Sequence, residues 1–292
     1  MITKAGTRVL PARYYVLLLD LLQSQGAPID AVIERIGIDY AGLSEPDCLL
    51  SIAQADALIE AAVEVTARDD LGFHLGRMIK PSNHELLGYA LMTSATLDHA
   101  LRLAARYWAL ITPTFALRYE PMPSGVRIHL RPALALKPQS LRFHIEAIAA
   151  AFHAEISFLL STRIPPYTIH LPESLAKAAS RYRQLAPARV QFDVSHDTGL
   201  IIELPTAMLV RPLALADRNA LKLARQRCDD EFSRLTRRGS LADWIRMMLD
   251  QSSDHQPRQQ ELARILHLSA RTLNRRLADE GTHFRELGLQ SR

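Results

Sequence analysis

The chain has 292 residues, 48% of them hydrophobic and 23% charged, which is ordinary for a soluble globular protein of two domains. Its most apolar early run, residues 14–22, is too short to span a bilayer, contains Asp20 and is not followed by a signal-peptidase site. The two cysteines, Cys48 and Cys228, are far apart and give neither a disulfide framework nor a zinc site. The sequence therefore predicts a cytoplasmic protein with no membrane partner and no cofactor.

Charge is distributed unevenly along the chain. From residue 211 to residue 292 there are 16 basic and 11 acidic residues, whereas the preceding part has 19 basic and 20 acidic residues. A nearly neutral N-terminal part has no electrostatic reason to bind nucleic acid, but a basic C-terminal part does.

Helical periodicity dominates the first third of the chain. Apolar residues recur every three or four positions, and Ser51 and Thr96 are natural N-caps for two of the segments. The helices predicted from these patterns cover residues 13–25, 31–36, 52–66, 71–79, 86–94 and 97–111.

Strands and helices are mixed in the next part. Alternation of apolar and polar residues predicts a hairpin with a long loop over residues 121–125. The other segments have the composition of buried strands or amphipathic helices. The predicted strands cover 114–120, 126–131, 167–171, 190–194 and 199–204, and the predicted helices cover 141–161 and 174–185. This pattern indicates an α+β fold for a regulatory domain over residues 1–204.

A helical linker is predicted over residues 205–239. Its main helix, 213–237, carries an apolar stripe that either docks on the preceding domain or pairs with a second copy in a homodimer; the shortness of the stripe favours docking. The members of the stripe are Leu221, Ala224, Cys228, Phe232 and Leu235. A further helix, 241–250, is expected to begin with Ser240 as its N-cap and Asp243 as the partner in a capping box.

Residues 262–277 have the pattern of two helices joined by a tight turn. Leu262 and Leu266 share one face of the first helix, and Leu273 and Leu277 share the inner face of the second. Ser269 is placed to cap the second helix. This spacing is typical of a helix-turn-helix, in an all-α segment that covers residues 240–292.

The outer face of the second helix carries groups that recognise DNA. Arg271, Asn274 and Arg275 lie at i, i+3 and i+4 and offer two guanidinium groups for guanine and one amide for adenine. The residues expected to bind phosphates are Thr272, Arg276 and Arg258. The alternative is a solvated basic helix, which charge alone does not exclude.

The C-terminal residues resemble the DNA-binding domain of the AraC/XylS family of bacterial transcription regulators. The resemblance rests on Glu261-Leu262-Ala263, Leu268-Ser269, Arg271-Thr272-Leu273, Arg275-Arg276-Leu277 and Glu280-Gly281-Thr282 with Phe284. The N-terminal part is similar to the arabinose-binding-type effector domain of one branch of that family. This second resemblance is carried by residues 71–76, 87–94, 97–101, 190–192 and 204–205.

The resemblance implies a regulator that binds double-stranded DNA in response to an effector of unknown identity. It also implies a second helix-turn-helix, which this sequence does not contain, so the chain is expected to end after the first unit. His267 occupies a turn position where the family has glycine. An alternative reading is a truncated sensor or dimerisation protein that does not bind DNA tightly by itself.

The sequence says less about an effector site or about catalysis than about DNA binding. Nucleophile, phosphate-loop and zinc-protease motifs are absent, and His144 and His153 fall on opposite faces of one helix, so neither an enzyme nor a metal site is predicted. The helix at 97–111 and the following strands are the expected wall of an effector pocket. The candidate contacts are Tyr89, Arg106, Trp108 and Arg142, which could equally be core and surface residues.

Overall fold

A computed structural model describes residues 10–133, 136–161, 164–192, 199–238, 241, 242, 245, 249, 258–266 and 268–290. The helices with described bounds are α1 (Arg13–Ser24), α2 (Ile29–Glu34), α3 (Tyr40–Leu43), α4 (Ile52–Thr66), α5 (Leu71–Met78), α6 (Glu85–Met92), α7 (Leu97–Tyr107), α8 (Pro138–Leu160), α9 (Ala179–Tyr182), α10 (Thr206–Leu209), α11 (Arg218–Arg238), α12 (Gln259–Ile265), α13 (Ala270–Asp279) and α14 (Phe284–Gln290). The strands are β1 (Leu10–Pro11), β2 (Leu49–Leu50), β3 (Phe115–Met122), β4 (Gly125–Pro132), β5 (Thr168–Leu171), β6 (Arg189–Phe192) and β7 (Leu200–Pro205). This mixture confirms the predicted α+β class.

The larger sheet has five strands in the order β3-β4-β7-β5-β6, and only the β5/β6 pair is parallel. The predicted long loop of the β3/β4 hairpin is wrong, because Met122 pairs with Gly125 and only two residues join the strands. Pro121 is tolerated inside β3 because β3 is an edge strand, where a missing N–H leaves no neighbouring strand unpaired.

Helix α8 is the central helix of the regulatory domain. It is long and apolar enough to span a membrane by length and composition, but most of its apolar stretch is buried among other elements of the protein. Its closest neighbour is α5, where Gly72 and Gly76 face the backbone of α8. A Cβ at either glycine would lie 2.2 Å from the carbonyl oxygen of Phe143 or Ala147, so only glycine permits this close approach.

Two apolar clusters divide the buried residues. One lies between the five-stranded sheet and helices α7 and α8, and includes Phe115, Ile128 and Ile202. The other joins α1, α4 and α5 through residues such as Leu18 and Leu58, and is continuous with the buried residues of α12, α13 and α14. The regulatory domain therefore consists of a part built on the five-stranded sheet and a mainly helical part with the short β1/β2 pair, and the two parts share α8.

Several predicted boundaries change in the folded chain. The predicted helix at 174–185 is a short α9 between two 3₁₀ turns, Glu173–Ala178 and Arg183–Leu185, because this crossover must place β6 parallel to β5. The linker helix begins at Arg218 rather than 213. The N–H of Leu213 donates to the Ala95 carbonyl, and Asp217 accepts hydrogen bonds at the start of α11.

Candidate functional site

Helix α13 is formed and oriented as its sequence pattern predicts. The Ser269 hydroxyl accepts a hydrogen bond of 3.0 Å from the Thr272 N–H, which caps the helix. Leu273 and Leu277 are fully buried on the inner face. Gly281, with a φ of 76°, ends the helix in the left-handed conformation that glycine adopts without steric cost.

The opposite face of α13 is open to solvent and basic. Arg271, Asn274 and Arg275 are exposed, whereas Thr272 and Arg276 are half-buried at its margins. Within the described part of the chain, no carboxylate forms an ion pair with any arginine of α13 or with the exposed Arg258. These guanidinium groups are therefore available to a ligand outside the protein.

The exposed face extends beyond α13 to residues that the sequence did not predict as DNA contacts. A surface depression lies beside the helix and continues onto the start of α14. Its lining consists of Gln259, Asn274, Arg275, Ala278, His283, Phe284 and Arg285. Arg285 and His283 add basic groups to this face. The sequence feature that could have identified them is their position just after Gly281, where α14 begins.

Two contacts fix α12 against α13. The Leu268 N–H donates to the Ala263 carbonyl over 2.8 Å, and the Gln259 side-chain amide donates to the Ala270 carbonyl over 3.2 Å. His267, the residue that replaces the glycine of the family, lies outside the described residues. The two hydrogen bonds described above nevertheless fix the orientation of α13 relative to α12.

Glu280, just after α13, caps the helical segment that includes Leu241 and Ala242. Its two carboxylate oxygens accept from the N–H groups of Leu241 and Ala242, at 2.8 and 2.9 Å. The predicted cap residues Ser240 and Asp243 lie outside the described residues. A cap supplied from 38 residues away has no local signature, which is why sequence reasoning missed Glu280.

A second site is a cavity inside the regulatory domain, between α1, α5, α8 and the 3₁₀ turn Trp108–Leu110. Its volume is about 80 Å³, and its walls are almost entirely apolar. This volume has room for several water molecules or a small organic molecule. The lining residues are Leu10, Pro11, Tyr14, Tyr15, Leu75, Ile79, His84, Trp108, Ile111, Thr112, Phe143, His144, Ala147, Ile148, Ala151, Phe152 and Glu155.

One wall of the cavity holds a buried ion pair. His84 is 6% exposed, and its ring bridges the Tyr14 hydroxyl, 2.7 Å from Nδ1, and the Glu155 carboxylate, which contacts Nε2. Burial by itself lowers the pKa of His84, but the Glu155 carboxylate and the Tyr14 hydroxyl outweigh it and raise the pKa to about 10. The imidazolium therefore donates from both ring nitrogens at neutral pH.

Another wall holds a neutral hydrogen-bonded pair. His144 Nδ1 donates to the Ser140 carbonyl over 2.7 Å, so Nε2 accepts from the Tyr15 hydroxyl over 3.1 Å. Burial lowers the pKa of His144 and raises the pKa of Tyr15, which keeps both side chains uncharged at neutral pH. His153 is also paired, with the hydroxyl of Tyr167 at 2.9 Å.

Trp108 lines the same cavity but, unlike His84 and His144, has a polar group without a partner among the described residues. Its side chain is 7% exposed, and its indole N–H has no hydrogen-bond acceptor among the described residues. Buried donors in native proteins are almost always paired, so an unpaired one is a feature that requires an explanation.

The other three residues predicted for the effector site do not line this cavity. Tyr89 is 48% exposed on α6. Arg106 donates to Asp229 of the linker helix over 2.9 Å, and Arg142 donates to Asp69 over 2.7 Å. The structure therefore disperses the four predicted residues, because α6, α7 and α8 present them to different neighbours.

The linker helix α11 docks on the regulatory domain, which is one of the two outcomes that its apolar stripe allowed and the one that the shortness of the stripe favoured. Ala224 and Cys228 are buried, and the helix packs on α6 and on the turn that contains Trp108. The Tyr107 hydroxyl donates to Asp229 over 2.7 Å. The side chain of Leu235, at the end of the stripe, lies outside the described residues.

Comparison with known proteins identifies the N-terminal part. The family described as the arabinose-binding domain of AraC transcription regulators, at their N-terminus, matches residues 26–213. No cluster of three or more metal-ligating side chains occurs among the residues that the structure describes.

Similar proteins match most of the chain. The ornithine utilization regulator of Pseudomonas aeruginosa is 24% identical over 279 residues, which cover 96% of this chain and 81% of that protein. A helix-turn-helix transcriptional regulator of Mycobacterium tuberculosis is 29% identical over 93% of this chain and 79% of its own length. The crystal structure of the transcriptional regulator CdpR from Pseudomonas aeruginosa has a similar fold, with a TM-score of 0.57 and 22% identity, over 94% of this chain and 81% of that one.

Proposed function

This chain belongs to the AraC family of transcription regulators with an N-terminal arabinose-binding domain, and we propose that it is a cytoplasmic, ligand-responsive regulator that binds operator DNA through α13. Its relatives are transcriptional regulators, which makes a nucleic acid the expected partner. The proposal assigns DNA recognition to the helix-turn-helix and control to the regulatory domain.

The exposed face of α13 is the observation that carries the DNA part of the proposal. Arg271, Asn274 and Arg275 project from the side of the helix opposite to buried Leu273 and Leu277. An α-helix fits the major groove, where guanidinium and amide groups read base edges. In this proposal Arg271 and Arg275 pair with guanines, and Asn274 pairs with adenine.

Residues around this face would hold the DNA backbone. Thr272 and Arg276 flank the reading residues on α13, and Arg258 precedes α12, so their polar groups would contact phosphates. Arg285, in the adjoining depression, is a further candidate for a phosphate contact. These contacts contribute affinity without base preference and weaken as the salt concentration rises.

Effector control would act through the linker helix. Helix α11 docks on the regulatory domain and leads directly to the segment that contains the helix-turn-helix. An effector changes DNA binding only if it binds more tightly to one arrangement of these parts than to another.

The test uses a DNA duplex selected from a random-sequence pool by the full chain, with Kd measured by fluorescence anisotropy at low salt. The expected loss for Arg271→Ala or Arg275→Ala is ~1–3 kcal/mol, roughly 5-fold to 150-fold in Kd, with relaxed preference at one base pair. The matched control is Arg118→Ala, because Arg118 is an exposed arginine on β3, far from α13 in the chain.

Phosphate contacts predict a different signature in the same assay. Arg276→Ala or Arg258→Ala should weaken binding to all duplexes alike and reduce the slope of log K against log salt by about 1. The proposed role of α13 would be refuted if the chain bound none of the duplexes tested. It would also be refuted if Arg271→Ala and Arg275→Ala both left affinity and base preference unchanged.

A further inference from the structure

The cavity of the regulatory domain lies between the two apolar clusters of the fold. In its lining, Trp108, Ile111 and Phe152 belong to the cluster built on the five-stranded sheet. Leu75 and Phe143 belong to the cluster of the mainly helical part. Close-packed protein interiors contain few voids larger than a water molecule, so a void of about 80 Å³ at this boundary is a distinct feature. A molecule in the cavity would contact both clusters at once.

The walls offer a ligand almost no hydrogen-bonding group. His84 is paired with Glu155, and His144 with Tyr15. The indole nitrogen of Trp108 has no accessible surface, so it is not open to the cavity. A charged amino acid or a sugar would lose its hydration on entry and find no polar partners in return, which makes its binding unfavourable. Water is disfavoured there for the same reason.

We infer that this cavity is the effector site and that its ligand is a small hydrocarbon, or a compact molecule equally free of charge and of hydrogen-bonding groups. The volume of about 80 Å³ suits a group of roughly five carbon atoms. Removal of apolar surface from water supplies the affinity. This inference rests on the proposed function, since it names the class of effector that the regulatory domain recognises.

The two clusters connect the cavity to different parts of the regulator. The cluster built on the sheet includes Ala224 and Cys228 of the linker helix α11. The cluster of the mainly helical part includes Leu262, Leu273 and Leu277 of the helix-turn-helix. A ligand between these clusters favours the arrangement in which both of them contact it. The cavity is therefore placed to change how the helix-turn-helix is presented to DNA.

The probe for this site is cyclopentane, with tetrahydrofuran as the ring of the same shape that carries one hydrogen-bond acceptor. The full chain is labelled with ¹³C at isoleucine methyl groups, and Ile79, Ile111 and Ile148 line the cavity. Cyclopentane should shift these three signals saturably and leave Ile201, on the sheet away from the lining, unchanged. Tetrahydrofuran should bind about 10-fold more weakly, because its oxygen finds no donor.

Two variants change the size of the cavity in opposite directions. Ala151→Leu fills it, so Ile79 and Ile111 should no longer respond to cyclopentane. Ala53→Leu adds the same side chain at an exposed position of α4 and should leave binding unchanged. Ile148→Ala enlarges the cavity without overpacking it, so the affinity for cyclohexane relative to cyclopentane should rise.

The effector role is tested by the DNA affinity of the same proteins. Saturating cyclopentane should change the Kd of the wild-type chain for its selected duplex by about 5-fold or more. The Ala151→Leu variant should have a Kd that no longer depends on cyclopentane, and Ala53→Leu should respond like the wild type. The effect of Arg275→Ala on DNA affinity is measured without ligand, so a wrong ligand class remains distinguishable from a wrong DNA-binding assignment.

Three outcomes would overturn the inference. The first is that cyclopentane leaves the cavity methyl signals of the folded wild-type chain unchanged, or that L-ornithine or L-arabinose shifts them saturably instead. The second is that tetrahydrofuran binds as tightly as cyclopentane, or that Ala151→Leu binds cyclopentane like the wild type. The third is that cyclopentane fills the cavity and leaves the Kd for DNA unchanged.

Discussion

The proposed DNA-binding face of α13 and the apolar cavity of the regulatory domain use polar side chains in opposite ways. On α13 the arginines are exposed and without carboxylate partners among the described residues, so their charges are available to an external polyanion. In the cavity His84 and Glu155 neutralise each other, and His144 is held neutral by burial. The arginine charges of α13 are therefore open to an external partner, whereas the charges beside the cavity are paired within the protein.

This difference teaches how each region achieves selectivity. A surface that binds DNA gains affinity from every free cation, and water screens the repulsion between those cations. In a buried cavity an unpaired charge is very costly, and the buried side-chain atom without a partner among the described lining residues is the neutral indole N–H of Trp108. The contrast predicts that removal of a polar group harms stability in the cavity and DNA affinity on α13.

The largest effect is expected from removal of the carboxylate that pairs with His84. Glu155→Gln leaves a buried imidazolium without its counter-charge, and loss of one partner of a buried pair costs ~3–5 kcal/mol. Thermal unfolding should show the largest drop in Tm of any single change discussed. The matched control is Glu173→Gln, an exposed carboxylate at the surface, which should leave Tm nearly unchanged.

The same pair predicts a pH dependence. The pKa of His84 is about 10 in the folded chain and 6.5 in the reference state, so the folded chain binds more protons between these values. The contribution of His84 to stability is complete below pH 6.5 and is lost as pH rises through about 10. Unfolding by urea from pH 6 to 10 should show this loss in wild type, and its persistence in Glu155→Gln would assign it to another group.

A smaller effect is expected where the helix-turn-helix depends on one cap from a distant part of the chain. Glu280→Ala removes the acceptor for the N–H groups of Leu241 and Ala242, and loss of such a cap costs ~0.5–2 kcal/mol. Hydrogen exchange at these two amides should accelerate, and operator affinity should fall without a change in base preference. Asp279→Ala, at the exposed neighbouring position, is the control, and equal effects of the two changes would contradict the capping role.

The smallest effect sharpens the link between the two regions. Tyr107→Phe removes one hydrogen bond to Asp229, worth ~1 kcal/mol, so amide exchange in α11 should increase about 5-fold. Arg106→Ala breaks only an exposed ion pair with the same carboxylate and should change exchange less. A larger effect for Arg106→Ala than for Tyr107→Phe would argue against the buried contact as the coupling element.

Local patterns were enough to predict the helix-turn-helix. The spacing of Leu273, Leu277 and the outer arginines, and the cap at Ser269, are properties of one helix, and the folded chain retains each of them. The α+β class and the apolar stripe of α11 followed from periodicity in the same way, whereas docking was one of two outcomes that the stripe allowed. The hairpin loop and the start of α11 were missed because Gly125 and Leu213 are positioned by distant strands and carbonyls.

The sequence by itself determined which residues lie on the inner and outer faces of each helix, because a period of 3.6 residues requires no knowledge of the neighbours. Only the tertiary structure decided which side chains meet. Tyr14, His84, Trp108 and Glu155 come from four separate elements, and Glu280 caps a helix far away in the chain. Their charges and hydrogen bonds depend on burial and on partners from other elements, and no local pattern encodes either of these.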